Sequence, residues 1–79
     1  MEDTRQEAIN VLKSAAEKWP SEIFTREGLV EFSNKAISLG HLANLDSQGA
    51  GPEGAFYLGR KRVYPKSAAV NWLIKRLSV

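Results

Sequence analysis

Three consecutive cations, Arg60, Lys61 and Arg62, follow Gly59 between two short β-prone runs, Phe56-Tyr57-Leu58 and Arg62-Val63-Tyr64. A glycine able to take positive φ between such runs is a hairpin signal, so the cations are expected at a hairpin tip. Neighbouring side chains there fan to different sides, and a chain of phosphates would relieve the repulsion among them. A second constellation lies upstream. Over residues 38–48 a helical wheel sets Gly40, His41, Asn44, Ser47 and Gln48 opposite Leu39, Leu42 and Leu45. Asn and Gln can bind adenine edges bidentately, and a glycine lets a backbone approach closely. That polar face holds no Lys or Arg, so Lys35, just before it, is expected to help with phosphate contact. Arg26 and Ser38, at the starts of two successive helices, complete the candidate DNA-contacting set. The competing reading of both constellations is a solvated surface, with the basic run serving solubility or guarding a sheet edge.

Other chemistry is poorly supplied. Cysteine is absent and there is one histidine, which excludes thiolate catalysis, disulfides and multi-histidine metal centres. Glu27 and Glu31 share a helix face, but Arg26 and Lys35 offer ion-pair readings of them, and a chain this short has little volume for a cleft. No enzyme activity and no cofactor are expected.

The elements that must carry these residues follow from punctuation and periodicity. Residues 4–18 read as an amphipathic helix with Ala8, Val11, Leu12, Ala15 and Trp19 inward, capped by Asp3 or Thr4 and stopped by Pro20. Thr25 is a good N-cap for a short helix from Arg26 to Phe32 or Ser33, with Phe24 and Leu29 placed as a hydrophobic staple. Ser33-Asn34-Lys35 breaks it. A third helix fits 38–48, ending at Gly49, and the run from Gly49 to Gly54 must be a loop. Pro65 ends the second strand of the hairpin. Ser67 can then cap a last helix whose Val70, Leu73, Ile74 and Leu77 point inward, flanked by Trp72. Trp19 and Trp72 read as core residues. The expected fold is mainly α with a small β-hairpin: a winged helix-turn-helix with an additional N-terminal helix, in one domain spanning 1–79.

Composition agrees with a single small domain. The chain has 79 residues, 43% hydrophobic and 25% charged, and at this size only ~60% of the unfolded surface is hidden. No apolar run approaches a membrane span, and the acidic opening Met1-Glu2-Asp3 does not read as a secretory signal, so a cytoplasmic protein is expected. Charge is segregated beneath the net +2. Residues 1–53 hold all nine acids against five bases, whereas residues 54–79 hold six bases and no acid. Such a basic half suits a polyanion partner.

The ordered set Thr25-Arg26-Glu27-Gly28-Leu29, Gly49-Ala50-Gly51-Pro52, Leu58-Gly59-Arg60-Lys61-Arg62-Val63-Tyr64-Pro65-Lys66-Ser67 and Trp72-Leu73 resembles the excisionase-like, MerR-type winged-helix domains of phages and integrative elements. The resemblance covers residues 23–77. It implies a DNA-binding protein with no chemistry of its own, acting as a recombination directionality factor or a transcriptional regulator. It further implies double-stranded DNA as partner, an integrase or recombinase beside it, and a homodimer or cooperative assembly on DNA. By position the recognition helix is 38–48 and the wing 59–62. The family's recognition helix is usually richer in Ser/Thr-Arg pairs near its start, where this chain has Ser38, His41 and Asn44, and the helix over 4–18 lies outside the common core. The alternative function is a protein-interaction module on the same scaffold, contacting an integrase, a polymerase or its own copy through that first helix.

Overall fold

The computed structural model describes the backbone of residues 2–78 and the side chains of residues 4–78. In chain order the elements are α1 (Glu2–Lys18), β1 (Ile23–Thr25), α2 (Arg26–Phe32), α3 (Leu39–Ser47), β2 (Phe56–Leu58), β3 (Lys61–Pro65) and α4 (Lys66–Lys75). They form a small α+β fold in which four helices pack around a three-stranded antiparallel sheet of order β1-β3-β2.

The expected hairpin is therefore only part of the sheet. Ile23, Phe24 and Thr25 pair with Pro65, Tyr64 and Val63, which places β3 in the centre. Three residues are too few to show a strand period, so Phe24 is legible in the sequence only as a staple. It serves both purposes: Thr25 Oγ1 accepts from the Gly28 amide at 2.9 Å, and Phe24 and Leu29 are fully buried on either side of that cap.

The turn between α2 and α3 is closed by the backbone. The Asn34 amide donates to Glu31 and the Lys35 amide to Val30, with Asn34 at φ 57° and Lys35 at φ 66°. Asn tolerates this left-handed region better than most residues, and Lys does so at a cost. The end of α3 repeats the device with a glycine. Gly49, at φ 75°, donates to Asp46, and Ala50 donates to Leu45, which is the paired hydrogen bonding of a Schellman cap.

The core comprises Phe24, Leu29, Leu42, Tyr64, Ala69, Val70, Leu73 and Ala16, with Trp19 and Phe32 packed against it. Trp19 lies 4.8 Å from Phe24 and 5.8 Å from Phe32 between ring centroids, and its Nε1 donates to the Ile23 carbonyl. This aromatic cluster ties the end of α1 to the sheet.

Four local expectations are corrected. The inner side of α1 carries Leu12, Ala16 and Trp19, while Val11 is 66% exposed and Ala15 is also exposed. α1 meets the rest of the fold mainly along α4, so its buried stripe is narrow and rotated from the expected one. Thr4 lies inside the first turn of α1 rather than capping it, and the side chain of Asp3 is outside the described residues. Leu39, at the start of α3, is half-exposed because its first turn stands clear of the core. Ser67 is inside α4: the helix starts at Lys66 directly off the strand, with Pro65 before it, and the Lys66 amide donates to the Glu22 carbonyl.

Candidate nucleic-acid interface

The hairpin is tighter than the sequence suggests. Leu58 pairs with Lys61, leaving a two-residue loop of Gly59 and Arg60. Gly59 takes φ 62° at the first loop position and Arg60 stays at negative φ, the pattern of a II′ turn that needs glycine there. Of the three consecutive cations, then, only Arg60 sits at the tip. Lys61 and Arg62 are strand residues, and the pleat sends them to opposite faces.

Each meets a different partner. Lys61 Nζ lies 3.3 Å from Glu27 on α2, an exposed pair. The backbone hydrogen bond of Glu27, followed by Lys61, holds that carboxyl below the usual carboxylate range. Arg62 points to the same face as Tyr64 and reaches Asp46 of α3, Nε to Oδ2 at 3.3 Å, without the alignment of a hydrogen bond. The Arg62 guanidinium also stands 5.7 Å over the Tyr57 ring.

Asp46 is absent from the sequence-derived set, yet it organises the region. Its side chain is 4% exposed. Oδ2 accepts from Arg26 Nη2 at 2.9 Å, Arg26 Nε at 3.2 Å and the Tyr64 hydroxyl at 2.5 Å. The Tyr64 hydroxyl in turn accepts from Arg26 Nε at 3.4 Å. Burial, and then the hydrogen bond to Asp46, push the Tyr64 phenol above its ordinary value. The hydrogen bond to Tyr64 and the pairing with Asp46 together outweigh desolvation and keep Arg26 firmly protonated. Asp46 is the sole acid on its helix, which was the available signal. Its partners lie 16 to 20 positions away in sequence, a separation that periodicity does not read.

The sequence-derived residues fall into three groups. Gly40 joins Arg26, Arg60, Lys61 and Arg62 around an open groove of about 480 Å³ between the first turn of α3 and the hairpin, which Leu39, Ala43 and the acidic Glu27 also line. His41, Asn44 and Ser47 are exposed on α3 and Gln48 at its C-cap, all outside that lining. Ser38 is the N-cap of α3, its Oγ accepting from the His41 amide at 3.1 Å, which leaves its hydroxyl proton available. Ser47 Oγ donates to the Asn44 carbonyl at 2.8 Å. Lys35 is exposed in the turn and lies outside the groove. Arg26 and Arg62 are not free cations but partners of Asp46. Beside the tip, the outer strand β2 exposes all three of its side chains, Phe56, Tyr57 and Leu58.

Among the described residues no cluster of His, Cys, Asp or Glu could hold a metal ion, and no helix is long and apolar enough to cross a membrane. Comparison with protein-family models, curated proteins and solved structures finds no match for this chain.

Proposed function

We propose that this chain is a winged helix-turn-helix DNA-binding protein, with α3 as recognition helix in the major groove and the β2–β3 hairpin as a wing on the flanking backbone or minor groove. The observation that carries this reading is a juxtaposition. A groove floored by the start of α3 is walled by Arg60, Lys61 and Arg62, beside a helix face of exposed, neutral hydrogen-bonding side chains. Phosphates need the first feature and base edges the second. The wing cations dock and orient, Arg60 foremost, while Asn44 and Gln48 read bases. The resemblance to excisionase-like proteins points to a recombination directionality factor or a small transcriptional regulator, working in the cytoplasm with an integrase or as a cooperative assembly.

The test is a titration of the fragment upstream of its own gene and of a random duplex at two salt concentrations. Tighter binding to the native fragment that weakens with salt supports the reading. Arg60→Ala should weaken binding to both duplexes and flatten the salt dependence by about one phosphate, whereas Asn44→Ala or Gln48→Ala should erode the preference for the native fragment. Salt-insensitive partner binding with no DNA affinity would favour the second reading, an interaction module. The exposed Val11 and Ala15 on α1 and the apolar edge of β2 are what speak for that alternative.

A further inference from the structure

One buried carboxylate connects three elements of the candidate interface, α2, α3 and β3. Arg26 opens α2, Asp46 lies in the last turn of α3, and Arg62 and Tyr64 stand two residues apart on β3. Two successive inward side chains of β3 thus converge on the same oxygen, so a shift of the strand would disturb both contacts at once. Arg62 is also only two residues from the wing tip at Arg60. The loop that follows α3 is fitted to this cluster: a Cβ at Gly51 would collide with Asp46 Oδ1, the carboxylate's second oxygen, which is buried without a partner.

The charges matter as much as the geometry. Two guanidinium groups share one carboxylate, so the cluster keeps a net charge of only one. Lys61 leans on Glu27, and Arg60 alone among the four groove cations has no acidic partner among the described residues. A cation already bonded to a buried anion gives less to a phosphate than a free one, because that bond must be shared or broken.

We propose that Asp46 is a positioning residue for DNA recognition: it fixes the wing against α3 and holds Arg26 and Arg62 back from the phosphates, so that it sharpens discrimination between sequences by suppressing sequence-independent affinity. This rests on the DNA-binding reading above. Asp46→Asn keeps the side-chain shape and removes the charge. On protein that circular dichroism shows to be folded, its affinity for a random duplex should rise and its salt slope should steepen by about one phosphate. The ratio of native-fragment to random-duplex affinity should fall about tenfold. A purely structural role would lower the melting temperature and leave both quantities alone. In the parent, Arg62→Gln should flatten the slope by less than half as much as Arg60→Gln, and in the Asp46→Asn background the two should become equal.

Parent-like ratio and slope in folded Asp46→Asn overturn the proposal, as does an Arg62→Gln effect equal to that of Arg60→Gln in the parent. If Asp46→Asn does not fold, the Arg62→Gln and Arg60→Gln comparison in the parent decides alone. Absent or salt-insensitive binding of the parent would instead sink the DNA reading, and this proposal with it.

Discussion

Gly40 stands in the first turn of α3 and Gly51 in the loop after it, and their surroundings predict opposite responses to the same methyl group. A Cβ at Gly40 meets nothing within 4 Å, on a helix where alanine is preferred, so Gly40→Ala should stabilise the fold by about 0.5 kcal/mol. Under the proposed function it should nonetheless weaken DNA binding, since that backbone is where close approach is wanted. At Gly51 the methyl would strike the buried Asp46 carboxylate, and Gly51→Ala should destabilise by about 2 kcal/mol. Urea titration of the two variants checks both signs. Tyr64 supplies a pH signature at the same cluster. Its folded-state pKa is raised above the unfolded value of about 10, so the contribution is fully present below that pH and is lost as pH rises through the folded value. The parent should therefore lose stability above about pH 10 more steeply than Tyr64→Phe does. Parallel curves for the two proteins would show that the phenol is not held in this way.

At the level of elements, α1 shows how far a helical wheel carries. The apolar positions do mark a helix that stops short of Pro20, but which of them are buried depends on what the helix leans against. With α4 as its main neighbour, Leu12 and Ala16 turn inward and Val11 is left 66% exposed. Val11→Ala should consequently cost less than about 0.5 kcal/mol. Leu42→Ala, from a fully buried site on α3, should cost about 3 kcal/mol. Comparable losses in a denaturation series would contradict this orientation of α1. The hairpin teaches a related lesson. Moving the start of β3 back by one residue, to Lys61, turns three tip cations into one tip cation and two strand residues on opposite faces. Strand alternation then accounts for Lys61 meeting Glu27 while Arg62 meets Asp46.

Across the whole molecule, the acids of the first half and the bases of the second are brought together rather than kept apart. Glu27 pairs with Lys61, Asp46 with Arg26 and Arg62, and Glu22 lies 3.7 Å from Lys66, so the most basic segment is partly neutralised by elements that precede it. These pairs join α2, α3, β3, the start of α4 and the approach to β1, and the core likewise draws on every helix. Unfolding should accordingly be a single cooperative step. Trp19 reports the junction of α1 with the sheet, and Trp72, whose Nε1 donates to the Ala50 carbonyl, reports α4 and the loop after α3. Fluorescence of Trp19→Phe and of Trp72→Phe, each retaining one tryptophan, should follow circular dichroism with a coincident midpoint. Separated midpoints would mean that α1 docks on an otherwise independent domain.

The sequence by itself determined what is local. Thr25 as a cap, the break at Ser33-Asn34-Lys35, Gly49 as a helix stop, Gly59 in the hairpin and the polar face of α3 all follow from interactions within a few residues, which spacing encodes. Tertiary structure decided the rest: the third strand at Ile23–Thr25, the inner side of α1, and the commitment of Arg26 and Arg62 to Asp46. The physical reason is one of range. A cap or a turn is satisfied by its own neighbours, whereas a strand three residues long, a narrow buried stripe and a buried carboxylate exist only through partners that the chain reaches after folding back on itself.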